Sequence, residues 1–103
     1  MSYSVYVRKT AERELVEAQI WYEAQQKGLA AQFHAEFIAT LGTLAETPLI
    51  YPELYREVRR AVLRRFPYLV WYRVQDMDIT VLACTHGKID PGKLPVRLRR
   101  SKS

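Results

Sequence analysis

Cysteine, histidine and long apolar runs are all scarce in this chain of 103 residues, and each scarcity closes off a class of function. Cys84 is the sole cysteine, so no internal disulfide can form. A small domain that manages without disulfides fits a reducing cytoplasm, and its single thiol reads as a small buried hydrophobe. The two histidines, His34 and His86, lie far apart and do not make a zinc site with one cysteine. No metal and no other cofactor is expected. No apolar run is long enough to span a bilayer, so no membrane association is expected. The opening Met1-Ser2-Tyr3-Ser4-Val5-Tyr6 lacks the basic-then-apolar layout of a signal peptide. Internal repeats and low-complexity tracts are absent as well.

What is present is an ordinary globular composition, 49% hydrophobic and 26% charged, in a length that supports one domain with one two-layer core. The charge is unevenly placed. Residues 1–55 carry 4 Lys/Arg against 7 Asp/Glu, whereas residues 56–103 carry 12 against 4. A net +5 chain with its excess in the second half suits an acidic partner or a polyanion such as RNA or DNA.

Tyr3 to Val7 alternates and predicts a strand. Thr10 reads as an N-cap, with Glu12 and Glu14 near the positive end of a first helix that Gly28 ends. A second helix is expected over Ala30 to Glu46, with Phe33, Phe37, Ile38, Leu41 and Leu44 on one stripe. The short link at Lys27-Gly28-Leu29 makes the two an antiparallel hairpin. Pro48 and Pro52 mark an ordered loop that Tyr51 and Tyr55 can anchor. Strands follow at about Val58–Leu63, Tyr68–Gln75 and Ile79–Thr85, joined by tight turns at Phe66-Pro67 and Asp76-Met77-Asp78.

The fold class is therefore α+β, in the order β-α-α-β-β-β, with a helical hairpin packed on one face of a small, mainly antiparallel sheet. Residues 1–96 form the domain, and the basic tail 97–103 is expected to fray. Two helices cover one sheet face, yet the strand at 68–75 is apolar on both. Alternation assigns Ile79, Val81 and Ala83 to one side and Leu82 and Cys84 to the other. The uncovered side would expose a few hundred Å² of apolar surface, which calls for a partner, or else for the tail or the Pro48–Tyr55 loop to fold over it.

Several residues together resemble the RelE/ParE superfamily of toxins, the toxic half of bacterial type II toxin–antitoxin pairs, also called plasmid stabilisation proteins. They are Ala18 with Trp21-Tyr22, Gly28-Leu29, Phe33 and Phe37, Pro48, Tyr51-Pro52, an Arg-rich strand, Phe66-Pro67-Tyr68 with Tyr72, and His86-Gly87 with Asp90-Pro91. The resemblance spans nearly the whole chain, and Phe66-Pro67-Tyr68 is its densest part. It implies a cytoplasmic growth inhibitor silenced by an antitoxin whose acidic C-terminal segment wraps the toxin. The Phe-Pro-Tyr strand and the helical hairpin are more similar to the ParE-like branch, which binds and poisons DNA gyrase without catalytic residues. The RelE-like branch, acting on the ribosome as a metal-independent mRNA endonuclease, is the alternative, and a binding module without toxicity is a third reading. Ile89 stands where the family commonly carries an arginine.

RNA cleavage without a metal needs a base, an acid and cations at the phosphate. Arg73, His86 and Glu57 are the candidates for that chemistry, although a strand-terminal histidine more often makes a structural hydrogen bond. Arg59, Arg60, Arg64 and Arg65, with Lys88, are candidates for binding a partner or phosphate. The same arginines also suit an edge strand charged against aggregation. Alternation puts Arg59 and Arg65 on one face and Arg60 and Arg64 on the other. Trp21, Tyr68, Trp71, Tyr72 and Leu82 are the expected antitoxin contacts. Trp21 and Tyr22 cannot both face the sheet, and His34 is expected on the surface.

Overall fold

In a computed structural model, residues 2–87 are described. The element order is β1 (Ser4–Val7), α1 (Lys9–Gln25), α2 (Leu29–Glu46), β2 (Glu53–Tyr55), β3 (Val58–Val62), β4 (Tyr68–Gln75) and β5 (Asp78–His86). They build one five-stranded sheet in the order β1-β5-β4-β3-β2. β1 runs parallel to β5, and every other neighbouring pair is antiparallel. Both helices lie on one face, so the α+β reading and the helical hairpin hold.

Local chemistry sets the helix ends, and here the sequence expectations shift. α1 begins one residue before Thr10, and its N-cap is Arg8 in extended conformation with no side-chain cap. Gly28 is not the end of α1, which stops at Gln25. It is the N-cap of α2, at φ 95°, a value that glycine adopts without strain. Gly28 has no side chain to cap the helix start, and the Glu23 carboxylate takes that role, accepting the N–H groups of Gly28 at 3.1 Å and Ala30 at 3.0 Å.

The core on the helix side is aromatic at its centre. Phe33 stacks on Tyr22 at 5.4 Å between ring centroids, and Phe66 meets both edge-on at 5.0 and 4.9 Å. Tyr68 adds an edge contact to Phe33 at 5.1 Å. Such pairs contribute about 0.5–1.5 kcal/mol each beyond the area they bury. Phe66-Pro67-Tyr68 is thus the place where the helix pair is locked to the sheet. Pro67 sits inside a three-residue turn closed by the Tyr68 N–H donating to the Phe66 carbonyl at 2.7 Å. The Gly87 N–H donates to the Pro67 carbonyl at 2.6 Å, and a Cβ on Gly87 would come within 3.3 Å of that oxygen.

Two findings revise the strand expectations. β2 is a strand within the segment read as a loop, and it pairs with β3 through a two-residue turn, Arg56-Glu57. Both turn residues have positive φ, 42° and 70°, as a type I′ hairpin requires. Second, the pairing of β4 with β5 shifts between Trp71 and Tyr72: Trp71 faces Ala83 and Tyr72 faces Val81, leaving Leu82 as the extra residue of a bulge. Strict alternation fails there. Ala83 joins Leu82 on the face away from the helices, and Cys84 returns to the helix-side core.

The centre of the far face is buried rather than left open for a partner. Val58, Trp71, Leu82 and Ala83 form a second cluster, with Trp71 only 5% exposed. The bulge sets Leu82 and Ala83 side by side in that cluster. The Trp71 indole N–H donates to the Thr85 hydroxyl at 2.9 Å, and the Arg60 guanidinium lies over the indole ring, 5.6 Å from its centroid. The tail 97–103, the domain boundary at residue 96, and Lys88, Ile89 and Asp90-Pro91 lie outside the described residues.

Candidate functional site

The largest exposed aromatic feature stands where α1 crosses the ends of β4 and β5. Trp21 is 57% exposed, while its neighbour Tyr22 turns inward to the core, the two rings meeting edge-on at 5.1 Å. The helical rotation between adjacent residues separates them as expected. Trp21, Tyr68 and His86 line two adjoining grooves of about 560 and 400 Å³. The larger continues past Glu14, Glu17 and Ala18 of α1. His86 packs its ring on Tyr68, with centroids 5.3 Å apart. Burial, reinforced by Tyr22, Cys84 and Glu17, raises the Tyr68 phenol above the ordinary tyrosine value. Tyr68 is therefore a neutral hydroxyl at the groove floor.

Glu14 is a site residue that the sequence did not reveal. Among the described residues, β5 has no partner on its β1 side beyond Val81, because β1 ends at Val7. An unpaired strand edge carries orphan amides. The Glu14 carboxylate accepts the Cys84 N–H there, at 2.9 Å. The contact joins residues 70 positions apart, and no local pattern announces it.

The four arginines grouped by sequence part company in space. Arg59 donates to the Tyr51 carbonyl, holding the loop before β2. Arg60 rests on Trp71, on the opposite face. Arg65 pairs with Glu36 of α2 at 3.5 Å, and its backbone N–H donates to the same carboxylate at 3.0 Å. Arg64 lies beside Ile50 and Val62 in a separate crevice near α2. Arg64 and Arg65 fall in the bend after β3, so strand alternation does not apply to them.

Of the expected antitoxin contacts, Trp21 is exposed and Tyr68 is half-buried. Trp71 is buried at the far-face centre, and Tyr72 and Leu82 are wholly inaccessible. Tyr72 donates its hydroxyl to the Pro48 carbonyl at 2.7 Å, and burial pushes its pKa up to about 12 against the opposing charge of Arg59. Cys84 is buried as expected, and the same cause pushes its thiol up to about 12, which makes it inert at neutral pH. His34 is exposed, with its Nδ1 3.0 Å from the Gln19 amide nitrogen.

The candidates for RNA cleavage do not converge. His86 pairs with Tyr68 at one end of β4, and Arg73 pairs with Thr80 near the other. Glu57 is in the β2–β3 turn, its backbone N–H donating to Glu53 at 2.9 Å. Among the described residues, no group of three or more His, Cys, Asp or Glu is placed to hold a metal ion. None of the described helices is long and apolar enough to cross a membrane.

Solved structures with this architecture include a toxin and toxin–antitoxin assemblies. The chromosomal ParDE TA system from P. aeruginosa aligns with TM-score 0.73 at 18% identity, over 82% of this chain and 96% of that one. A free-state variant of the E. coli toxin RelE aligns with TM-score 0.68 at 17% identity, over 97% and 98%. The toxin–antitoxin complex RelBE2 from Mycobacterium tuberculosis gives TM-score 0.57 at 25% identity, over 84% and 99%. No curated protein sequence matches significantly. The structural likenesses establish the RelE/ParE fold, and the sequence profile of one family narrows it. That profile, described as ParE toxin of type II toxin-antitoxin system, parDE, matches residues 5–91, and this chain belongs to that family, within the RelE/ParE superfamily of toxins.

Proposed function

We propose that this protein arrests growth by binding and poisoning DNA gyrase, and that a cognate antitoxin with an acidic C-terminal segment holds it silent. The observation that carries the reading is the scattering of the acid–base candidates. From Tyr68, the partner of His86, to Arg73 the strand runs about 16 Å. A general acid or base must stand within hydrogen-bond reach of the proton it moves, directly or through one water. Arg73 and His86 cannot both serve one phosphate in this arrangement. A toxin that acts by binding needs a surface instead, and the Trp21–Tyr68–His86 groove offers an exposed indole beside polar groups. The ParDE and RelBE2 assemblies among the structural relatives support the antitoxin half of the reading.

The test is expression of the chain without antitoxin, followed by incubation of the purified protein with gyrase and supercoiled plasmid. Growth arrest, cleaved DNA trapped on gyrase and intact mRNA are the expected results. Arrest with fragmented mRNA and unimpeded replication would assign the ribosome-dependent endonuclease instead. No arrest at all would leave a binding module without toxicity.

A further inference from the structure

On the sheet face turned away from the helices, two arginines present donors that nothing among the described residues satisfies. Val5 and Val7 pack into the helix-side core, so alternation sends Tyr6 to the far face, and Arg8, still extended just beyond β1 with its N–H donating to the Val81 carbonyl at 3.1 Å, continues that pattern. Tyr72 and Val74 likewise pack with the helices, which sends Arg73 to the same far face. Register aligns Tyr6, Thr80 and Arg73 in one row across β1, β5 and β4, with Arg8 two residues past Tyr6, just beyond the end of β1. Arg73 is only 8% exposed, and its Nε has no hydrogen-bond partner among the described residues. Arg8 Nη1 is also buried without one. The two guanidiniums are close enough that, after burial itself, the charge of Arg73 lowers the pKa of Arg8.

Two like charges with orphan buried N–H groups are costly unless something completes them. An oxyanion between them would accept the free donors and offset the repulsion, and a carboxylate matches the planar guanidinium fork. A side-chain carboxylate on a flexible stem can descend to a guanidinium 8% exposed. A phosphodiester carried between bulky sugars cannot. The approach lies along the β1 edge, where Tyr6 is 56% exposed.

We propose that Arg8 and Arg73 form a receptor for one Asp or Glu side chain of the antitoxin, laid across the far face of the sheet. The identity of the partner rests on the toxin–antitoxin reading above, whereas the carboxylate chemistry does not. It is probed first on the free full-length chain. Acetate, titrated at constant ionic strength against chloride, shifts the Arg73 Nε–H resonance saturably, and Arg8→Met abolishes the saturation. Because the two buried guanidiniums repel one another, Arg8→Met leaves the melting temperature unchanged or raises it. An equal, unsaturating response to acetate and chloride would overturn the site, and so would a fall in melting temperature on Arg8→Met. Saturation by inorganic phosphate but not by acetate would overturn the carboxylate assignment in favour of a nucleic-acid backbone. The second arm uses the antitoxin encoded in the adjacent reading frame: Arg8→Gln weakens its complex by about tenfold or more, mainly through dissociation. An unchanged complex would remove the antitoxin from this site. Failure of that protein to bind the unsubstituted chain would sink the antitoxin reading, while the acetate titration would still report on the two arginines.

Discussion

Glu23 does the work of a capping residue from the preceding helix. Two N–H groups at the start of α2 converge on its carboxylate, that of Gly28 shared between both oxygens and that of Ala30 on one. The Gly28 amide first, and the Ala30 amide second, hold its pKa below the ordinary glutamate value of 4.5. A folded-state pKa below the unfolded one means that the unfolded chain binds the proton more readily. The stabilisation is therefore fully present above pH 4.5 and is lost as pH falls through the lower folded-state value. Glu23→Gln is expected to melt below the natural chain at pH 7, with the gap closing progressively as pH drops below 4.5, as thermal unfolding across that range would show. A gap independent of pH would mean that shape, rather than charge, holds the helix end. Glu23 drew no notice in the sequence because its partners belong to the next helix, brought back by a turn whose conformation depends on Gly28.

At the scale of elements, the β2–β3 hairpin is the least well served by its own residues. Arg56 and Glu57 both occupy positive φ, where a non-glycine L-residue pays roughly 1–2 kcal/mol. Asn-Gly is the dipeptide that a type I′ turn favours. Replacing Arg56-Glu57 by Asn-Gly should stabilise the fold by about 1 kcal/mol, after the extra unfolded-state freedom of glycine is subtracted, as urea unfolding would measure. A loss of stability would show that the Glu57 N–H bond to Glu53, or the Arg56 guanidinium 5.5 Å from the Tyr55 ring centroid, outweighs the strain. The same hairpin explains why β2 was invisible in the sequence: its turn carries none of the expected glycine or asparagine, and Pro52 stands beside the strand. Elements with strong periodicity were legible. The Phe33-Phe37-Leu44 stripe gave α2 to within a residue, and the aromatic and β-branched run after Pro67 gave β4 with its observed ends. The bulge at Leu82 was not legible, because one extra residue reverses the face of everything after it without altering composition. Trp21 could be read as partly exposed from helical geometry alone. The pairing of Arg8 with Arg73 could not, since it depends on β1 running parallel beside β5.

Across the described residues, the helices carry most of the carboxylates and the far side of the sheet carries three arginines, whereas Arg59, Arg64 and Arg65 stay on or near the helix side. The helix layer carries Glu12, Glu14, Glu17, Glu23, Glu36 and Glu46 against Lys9 and Arg13. The sheet presents Arg8, Arg60 and Arg73 on its far side, away from those carboxylates. A local excess of one charge on a face helps to orient an approaching partner before any contact forms. An acidic antitoxin segment would be drawn to the sheet side, and the helix side would repel it. Exposed charges of this kind act through the rate of encounter more than through the lifetime of the complex. Raising salt from about 50 mM to about 500 mM should therefore slow association with the antitoxin by about tenfold or more. Dissociation should change much less, because contacts already desolvated are poorly screened. Stopped-flow mixing across that salt range separates the two rates. An association rate indifferent to salt would mean that the basic face plays no part in capture, and that the antitoxin is recognised instead through apolar contacts such as the exposed Trp21 indole.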